Sequence, residues 1–558
     1  MKMPFQFPRG LAVWWLLAAV LAVAVAVLSL WWGSLNQDEG WYLYAAQLVR
    51  SGKLPYRDFF FTQGPTMPIV YSAFASLWGP ESPLHGLLGG RVATFIIGLL
   101  ATFAACGVAR RLVPPERRSA AGLAVFALLS GNLYHVYFTT IPKTYALGSL
   151  FLLSGFLLLA AGLGIGRDSP PSAWRRISSL AAAGLSLAFA SGTRISLVLI
   201  LPVVGIVLLA RFRACRWAFL WFGLGGGAGL FLTYGFFALD PPSLAGLLAA
   251  QKYHAARGGF DPFFSLGSVS RLARGYAALG CVLFAGLLLG LKDLKHFNGD
   301  KGHDVGKGPK DDVMFLWMAG LSFTAVFFLQ LSAPFPYDDY QVPLMGLLTV
   351  LIVSWFFRRG GLAMEQAESA SFAARQAGFA VLAACMVSFS SPLLQQWTVY
   401  GQDRFWSAKK ERSELSKLRF MAEEINLLDP GGSMLLTQDL YLAVESGRRV
   451  PDGLEMGPFS YFPDLSTDEA RRCHVLNTPL LEELLASAPA GIAAFSGYAF
   501  AIAAPKCDEV PFDRQKHFFH ILKDKYELAD SEPNFGQNAT TLLVLRRRVD
   551  APSAGGGR

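Results

Sequence analysis

Apolar residues in this chain come in long blocks, and polar residues collect in the short gaps between them. Blocks begin near Leu11, Val92, Ser119, Tyr145, Ile177, Ile195, Trp217, Gly275, Val313, Val342 and Ala377. Several run to about 20 residues, the length a helix needs to cross a hydrocarbon core, so the pattern predicts about 11 membrane-spanning helices. Ile177–Ala190 and Ile195–Ala210 are short for that purpose and leave the exact count open. The first block follows Lys2 and Arg9 and lacks a small-residue exit site, so it is read as a retained span rather than a cleaved signal. After residue 394 the pattern changes. SMLLTQ, AGIAAFSG and TTLLVLRRR read as short strands, and STDEARRCHVL and TPLLEELLASA as helices, which predicts a small α/β domain. The expected organisation is a polytopic α-helical membrane part over 1–394 and a soluble domain over 395–558.

The charges orient the spans. Arg110, Arg111, Arg117 and Arg118, then Arg175 and Arg176, then Arg211, Arg213 and Arg216 fall in alternate gaps. They are followed by the lysines of LKDLKHFNGDKGHDVGKGPKDD and by Arg358 and Arg359. With the N-terminus inside, every basic cluster lies on the inner side. The outer loops are then Trp32–Arg91, Tyr137–Thr144, Ser191–Arg194, Asp240–Arg274 and Ser332–Gln341, and an odd span count places the C-terminal domain outside.

Composition supports this reading. Of 558 residues, 53% are hydrophobic and only 16% charged, too apolar for an ordinary soluble protein of this size. The formal charge of +9 does not imply a nucleic-acid partner, because the cations sit in the gaps between blocks. The His and Cys residues have no zinc spacing, and neither a Walker loop nor a dinucleotide glycine pattern is present. GLGGGAGL lies within an apolar block and reads as close helix packing. Cys473 and Cys507 fall in the soluble domain, where a disulfide and two free thiols are equally consistent with the sequence.

The first outer loop, 32–91, is long and carries LNQDEGWYLY directly after a span. DEGWYLYAAQLVRSG has helical spacing and reads as a helix lying on the membrane, with Trp41, Tyr42 and Tyr44 as an aromatic belt. PTMPIVYSAFASLWG reads as a second interfacial helix. An inside N-terminus, a first outer loop opening with Asp-Glu-x-x-Tyr, two surface helices and LPYRDFFFTQGP between them resemble the C superfamily of membrane glycosyltransferases. Within it the pattern is similar to the bacterial relatives of the protein O-mannosyltransferases and of the lipid A aminoarabinose transferase.

The resemblance implies transfer of a sugar from a polyprenyl phosphate to a lipid, glycan or protein acceptor on the outer face. It also implies a bacterial inner membrane, with the C-terminal domain periplasmic or extracellular. Asp38 matches the first acidic residue of the family motif and is the expected general base, with Glu39 in a supporting catalytic role. The plain alternative makes Asp38 the N-cap of a helix starting at Glu39 or Gly40. Arg194, at the mouth of a helical hairpin, is expected to bind the donor phosphate or to snorkel at the interface, and Lys143 is a similar case. Tyr42 and Gln63 are candidate substrate contacts, Gln63 offering a neutral hydrogen bond where many relatives carry Lys or His. Lys252, His254 and Arg257 read as a solvated helix face or as phosphate or acceptor contacts. Asp338 and Asp339 read as sugar-hydroxyl ligands or as an interface anchor. Relatives often carry a second acidic residue in the loop that here runs Tyr134–Tyr145 without one, so no cofactor is assigned and a divalent cation is left open. The rival readings are a transporter or flippase of lipid-linked sugar and an assembly protein. A transporter usually places functional charges at mid-bilayer and shows internal repeats, and neither is evident here; an assembly protein would not need Asp38 beside the first span.

Overall fold

The computed structural model describes residues 9–79, 81–167, 169–211, 216–256, 260–297, 310–359, 366–388, 412–497, 500 and 510–548. The chain is mainly helical. Along its first part run α1 (Arg9–Val27), α2 (Gln37–Arg50), α3 (Thr66–Ser72), α4 (Leu87–Leu112), α5 (Arg118–Ser130), α6 (Leu133–Thr140), α7 (Thr144–Leu163) and α8 (Ala173–Thr193). Among the described residues seven helices are long and apolar enough to cross a membrane, and up to nine if each of two bent pairs is one span. One bent pair is Pro115–Ser130 with Leu133–Thr140, kinked by 68°, and the other is Pro262–Gly275 with Ala277–Gly290, kinked by 77°.

The expected eleven is not reached among the described residues. Ile195–Ala210 is too short. Helix α8 is long enough, but it opens with Arg175 and Arg176 and is rich in Ala, Ser and Gly. Its small residues serve packing. A Cβ on Gly184 would lie 2.1 Å from the Phe222 carbonyl oxygen, and one on Gly225 would lie 1.9 Å from that of Ala181. GLGGGAGL is therefore a close helix–helix contact, as its composition implied. The boundary at 394/395, most of the lysine-rich stretch, Arg213 and Cys507 lie outside the described residues.

Among its described residues the C-terminal part carries four strands, β1 (Leu435–Thr437), β2 (Ile492–Phe495), β3 (Tyr526–Phe535) and β4 (Thr540–Arg547). They form one sheet in the order β1-β2-β4-β3, with β1 and β2 parallel and the other neighbours antiparallel. β1, β2 and β4 fall where the pattern predicted strands, as do the helices Thr467–Arg472 and Thr478–Ser487. β3 was not predicted. It is an edge strand, largely exposed, and its sequence YELADSEPNF shows no apolar alternation.

The apolar core does not follow the expected domain boundary. One cluster fills the helix bundle. The second joins α2, Phe59–Phe61, Met67, Tyr71 and Trp78 of the first long loop to the strands and helices of the soluble part. Specific bonds fix the two together. The Val450 N–H donates to the Tyr44 hydroxyl (3.0 Å), and the Leu87 N–H, at the start of α4, donates to Glu445 Oε2 (2.7 Å). The soluble domain thus sits on the same face of the bundle as the first loop.

This corrects the interfacial reading of α2. Trp41, Tyr42 and Tyr44 are buried in protein, roofed by the soluble domain and not set in a headgroup layer. Helix α3 and the turn after it keep Ile69 and Phe74 exposed, as a surface element would. Gly40 shows how closely the roof approaches. A Cβ there would stand 2.1 Å from the Tyr441 backbone nitrogen. Gly40→Ala is expected to part the two elements and to destabilise by about 1–3 kcal/mol, as over-packed cores do. The check is thermal melting of the detergent-solubilised protein with limited proteolysis of the soluble domain; wild-type behaviour in both would contradict so tight a contact.

Candidate functional site

Helix α2 begins one residue before the acidic pair. Asn36 is its N-cap, its side chain accepting from the Asp38 N–H (3.1 Å), while Glu39 Oε1 accepts from the Asn36 N–H (2.9 Å) to close a capping box. Asp38 is therefore not the cap, and the plain reading of that residue falls. Its carboxylate takes no part in capping and is engaged on both oxygens. Trp41 Nε1 donates to Oδ1 (3.1 Å), and the Lys143 ammonium lies 2.8 Å from Oδ2. The Asp38 side chain keeps 21% of its surface exposed.

Lys143 stands at the N-cap position of α7 and reaches a second carboxylate, Asp339 Oδ2, at 3.2 Å. The Tyr145 hydroxyl donates to the same oxygen (2.8 Å). Burial works against the charge on Lys143, and the neighbouring Asp38, Tyr145 and Asp339 more than offset it, so its pKa stands well above the ordinary lysine range. Asp38 and Asp339 are thus bridged by one ammonium. The second of these carboxylates belongs to the short helix Asp338–Gln341 and not to the Tyr134–Tyr145 loop. Sequence reading found Asp339 but not its partner, because the two carboxylates meet only through the bundle.

Arg194 closes the group. It is the C-cap of α8, and its guanidinium lies over the rings of Tyr340 (4.5 Å) and Tyr145 (5.1 Å). Among the described residues it makes no ion pair within 4 Å, although Asp339 and Tyr42 act on it electrostatically. The Tyr42 hydroxyl lies among Asp38, Arg194, Lys143 and Thr144. Burial first, and then the Asp38 charge, raise its pKa above the ordinary tyrosine range, so it remains a donor. Gly64 packs against the same turn; a Cβ there would be 2.0 Å from the Gly192 carbonyl oxygen. Gln63 is half-buried beside this contact, and its carbonyl accepts from the Tyr56 hydroxyl.

The other expected residues lie elsewhere. Glu39, expected in a catalytic role, is fully buried and turned away from this group. Arg91 Nε donates to its Oε2 (2.7 Å) and Arg91 Nη2 to its Oε1 (2.8 Å). The remaining Arg91 donors go to the carbonyls of Leu30 (3.2 Å), Gly33 (3.0 Å) and Ser34 (3.1 Å). This arginine holds the whole turn from α1 into α2, and the sequence reading treated it only as a loop boundary. The available signal was a lone cation at the head of an apolar run, GLLGGRVATF. Asp338 is taken by Arg271 (2.9 Å) and the Tyr134 hydroxyl, on the other side from Asp339. Lys252 is exposed, in electrostatic reach of Glu469 in the soluble domain. Arg257 and the side chain of His254 lie outside the described residues. His135 is buried and bonded through Nδ1 to the Tyr276 hydroxyl (2.8 Å), a packed histidine.

No protein-family model matches the sequence, and no curated protein matches it either. Solved structures do. The chain is similar to the crystal structure of ArnT from Cupriavidus metallidurans bound to undecaprenyl phosphate, at 14% identity and a TM-score of 0.57, over 98% of this chain and 99% of that one. Weaker similarity reaches the apo oligosaccharyltransferase of Archaeoglobus fulgidus, at 13% identity and a TM-score of 0.47, over 88% of this chain and 70% of that one. It also reaches AglB of the same organism in complex with an inhibitory peptide and a dolichol-phosphate, at 13% and 0.44, over 86% and 69%. At these scores the archaeal structures add nothing to the assignment. The ArnT likeness runs the full length of both chains, and it shows that this chain shares the fold of that structure, a mainly helical membrane part with a small C-terminal sheet.

Proposed function

We propose that this protein moves a glycosyl group from a polyprenyl-phosphate donor to an acceptor hydroxyl at the outer face of a bacterial inner membrane, inverting the anomeric centre in one displacement. The acceptor oxygen bonds to the anomeric carbon as the bond from that carbon to the phosphate oxygen breaks. The acceptor proton passes to Asp38. The leaving polyprenyl phosphate carries the negative charge away and meets Arg194. A donor anchored in lipid requires the reacting groups at the membrane surface, beside a span, which is where Asp38 follows α1.

The observation that carries this reading is the pairing of a partly exposed carboxylate, held by Trp41 and Lys143, with an arginine that has no ion-pair partner within 4 Å among the described residues. Both stand in an ArnT-like fold. ArnT was crystallised with undecaprenyl phosphate, a lipid of the class that would leave in the transfer proposed here. Inner N-terminus, outer soluble domain and donor class belong to the same proposal.

Arg194 gives the direct test. In membranes supplied with labelled polyprenyl-phosphate sugar, Arg194→Ala is expected to weaken apparent donor affinity about 10- to 100-fold, the loss of one charge-assisted hydrogen bond at roughly 1.5–3 kcal/mol. Arg194→Lys should retain part of it. An unchanged donor affinity in the Ala variant would take Arg194 out of the donor site. Absence of transfer by the wild type with any lipid-linked sugar, together with measured flipping of that lipid, would favour a transporter.

A further inference from the structure

The Lys143 ammonium sits where a shared metal ion would sit. Its Nζ lies 2.8 Å from Asp38 Oδ2 and 3.2 Å from Asp339 Oδ2, with only 8% of its side chain exposed. Three separate chain segments supply the three groups: the start of α2, the start of α7, and the Asp338–Gln341 helix. A divalent cation of the hard type takes six or more oxygen ligands at about 2.0–2.6 Å. The residues present do not fit one: among the described residues no three His, Cys, Asp or Glu side chains converge to hold a metal. The slot between the two carboxylates is filled by a cation the chain itself carries. Lys143 offsets part of the charge of the two carboxylates, and Arg194 lies within electrostatic reach of Asp339.

We infer that Lys143 is a tethered cation that takes the place of a divalent metal between Asp38 and Asp339, making the protein independent of added metal. This rests on the transfer reading above for its catalytic consequence, but not for its binding consequence. Lys143 donates to the Asp38 oxygen opposite the one bonded to Trp41. It thereby fixes the position of the carboxylate that takes the acceptor proton. It is a positioning and charge-balancing residue, and its role differs from the phosphate contact that the sequence alone offered for it.

The inference makes two separate forecasts. Wild-type full-length protein in lipid nanodiscs should bind no stoichiometric Mn²⁺ by titration calorimetry or electron paramagnetic resonance, and its transfer rate should survive prior chelation. Lys143→Ala empties the slot and should gain one Mn²⁺ site, lost again in Lys143→Ala/Asp339→Asn. Its transfer rate should fall at least about 10²-fold without metal, the scale of an impaired general base, and should recover in part when Mn²⁺ is added. Stoichiometric Mn²⁺ binding by the wild type, or wild-type transfer abolished by chelation and restored by Mn²⁺, would overturn the inference. A folded Lys143→Ala with near-normal transfer and no Mn²⁺ site would do the same. If that variant does not fold, the wild-type arms still decide the matter. If no donor is ever turned over, the transfer reading fails while the Mn²⁺ titrations still test the tethered cation.

Discussion

Asp38→Asn is expected to bind the lipid donor and fail at transfer, with turnover reduced about 10²- to 10⁴-fold, the usual cost of losing a general base. The amide keeps the size of the carboxylate but cannot take a proton. Helix capping does not complicate the result, because Asn36 performs it and Asp38 is the second residue of α2. The amide can still accept from Trp41, whereas the ion pair with Lys143 is lost, so folding has to be followed separately. Thermal melting of the variant, donor binding by calorimetry and single-turnover transfer together separate chemistry from stability. Asp38→Glu, which keeps the charge but moves it by one methylene, should fall between the two. Donor binding with near-normal turnover in Asp38→Asn would remove Asp38 from the chemistry and leave the bundle with no assigned base.

Arg91→Met is expected to cost about 3–5 kcal/mol, because it leaves Glu39 charged, buried and without its partner. That is a large part of the 5–15 kcal/mol that typically holds a protein folded. Expression and melting temperature should both drop. The effect on transfer should be as severe, since the same guanidinium holds the carbonyls of Leu30, Gly33 and Ser34 and so sets where Asp38 begins. The double variant Arg91→Met/Glu39→Met should regain much of the stability, as replaced buried ion pairs commonly do, without regaining transfer. Wild-type melting of the single variant would show that the pair is dispensable. Full activity of the double variant would show that the turn needs no clamp. In the proposed transfer Glu39 would act through placement alone, and conservative replacement by Gln should be felt mainly as lost stability.

Much of the architecture was legible in the chain. Blocks of apolar residues become helices because an apolar, internally bonded helix is what such a run forms out of water. The capping box Asn36–Glu39 is also visible in the sequence, as an Asn three residues before a Glu ahead of an aromatic run, but Asp38 fits the cap pattern too, and only the structure separates them. The strands β1, β2 and β4 announced themselves by their apolar content. β3 did not, since an exposed edge strand has no need of it. The exact number of spans was not legible, because α8 uses small residues to approach its neighbours and so loses the hydropathy that marks a span.

The candidate site divides in the same way. Asp38, Lys143, Arg194 and Asp339 could each be singled out as charges at loop ends, because a charge beside an apolar run is costly without a purpose. Their convergence could not, since Lys143 joins Asp38 and Asp339 only once three separate segments are packed together. Trp41, Tyr42 and Tyr44 make the point from the apolar side. Their spacing shows that they avoid water, and a lipid headgroup layer or a protein roof satisfies that spacing equally well. Only the tertiary structure placed the soluble domain over α2, through Gly40 against Tyr441 and Tyr44 bonded to Val450. A local pattern records which side chains leave solvent, because desolvation is a property of each residue. What they leave it for depends on segments far along the chain, whose meeting is decided by the packing of the whole.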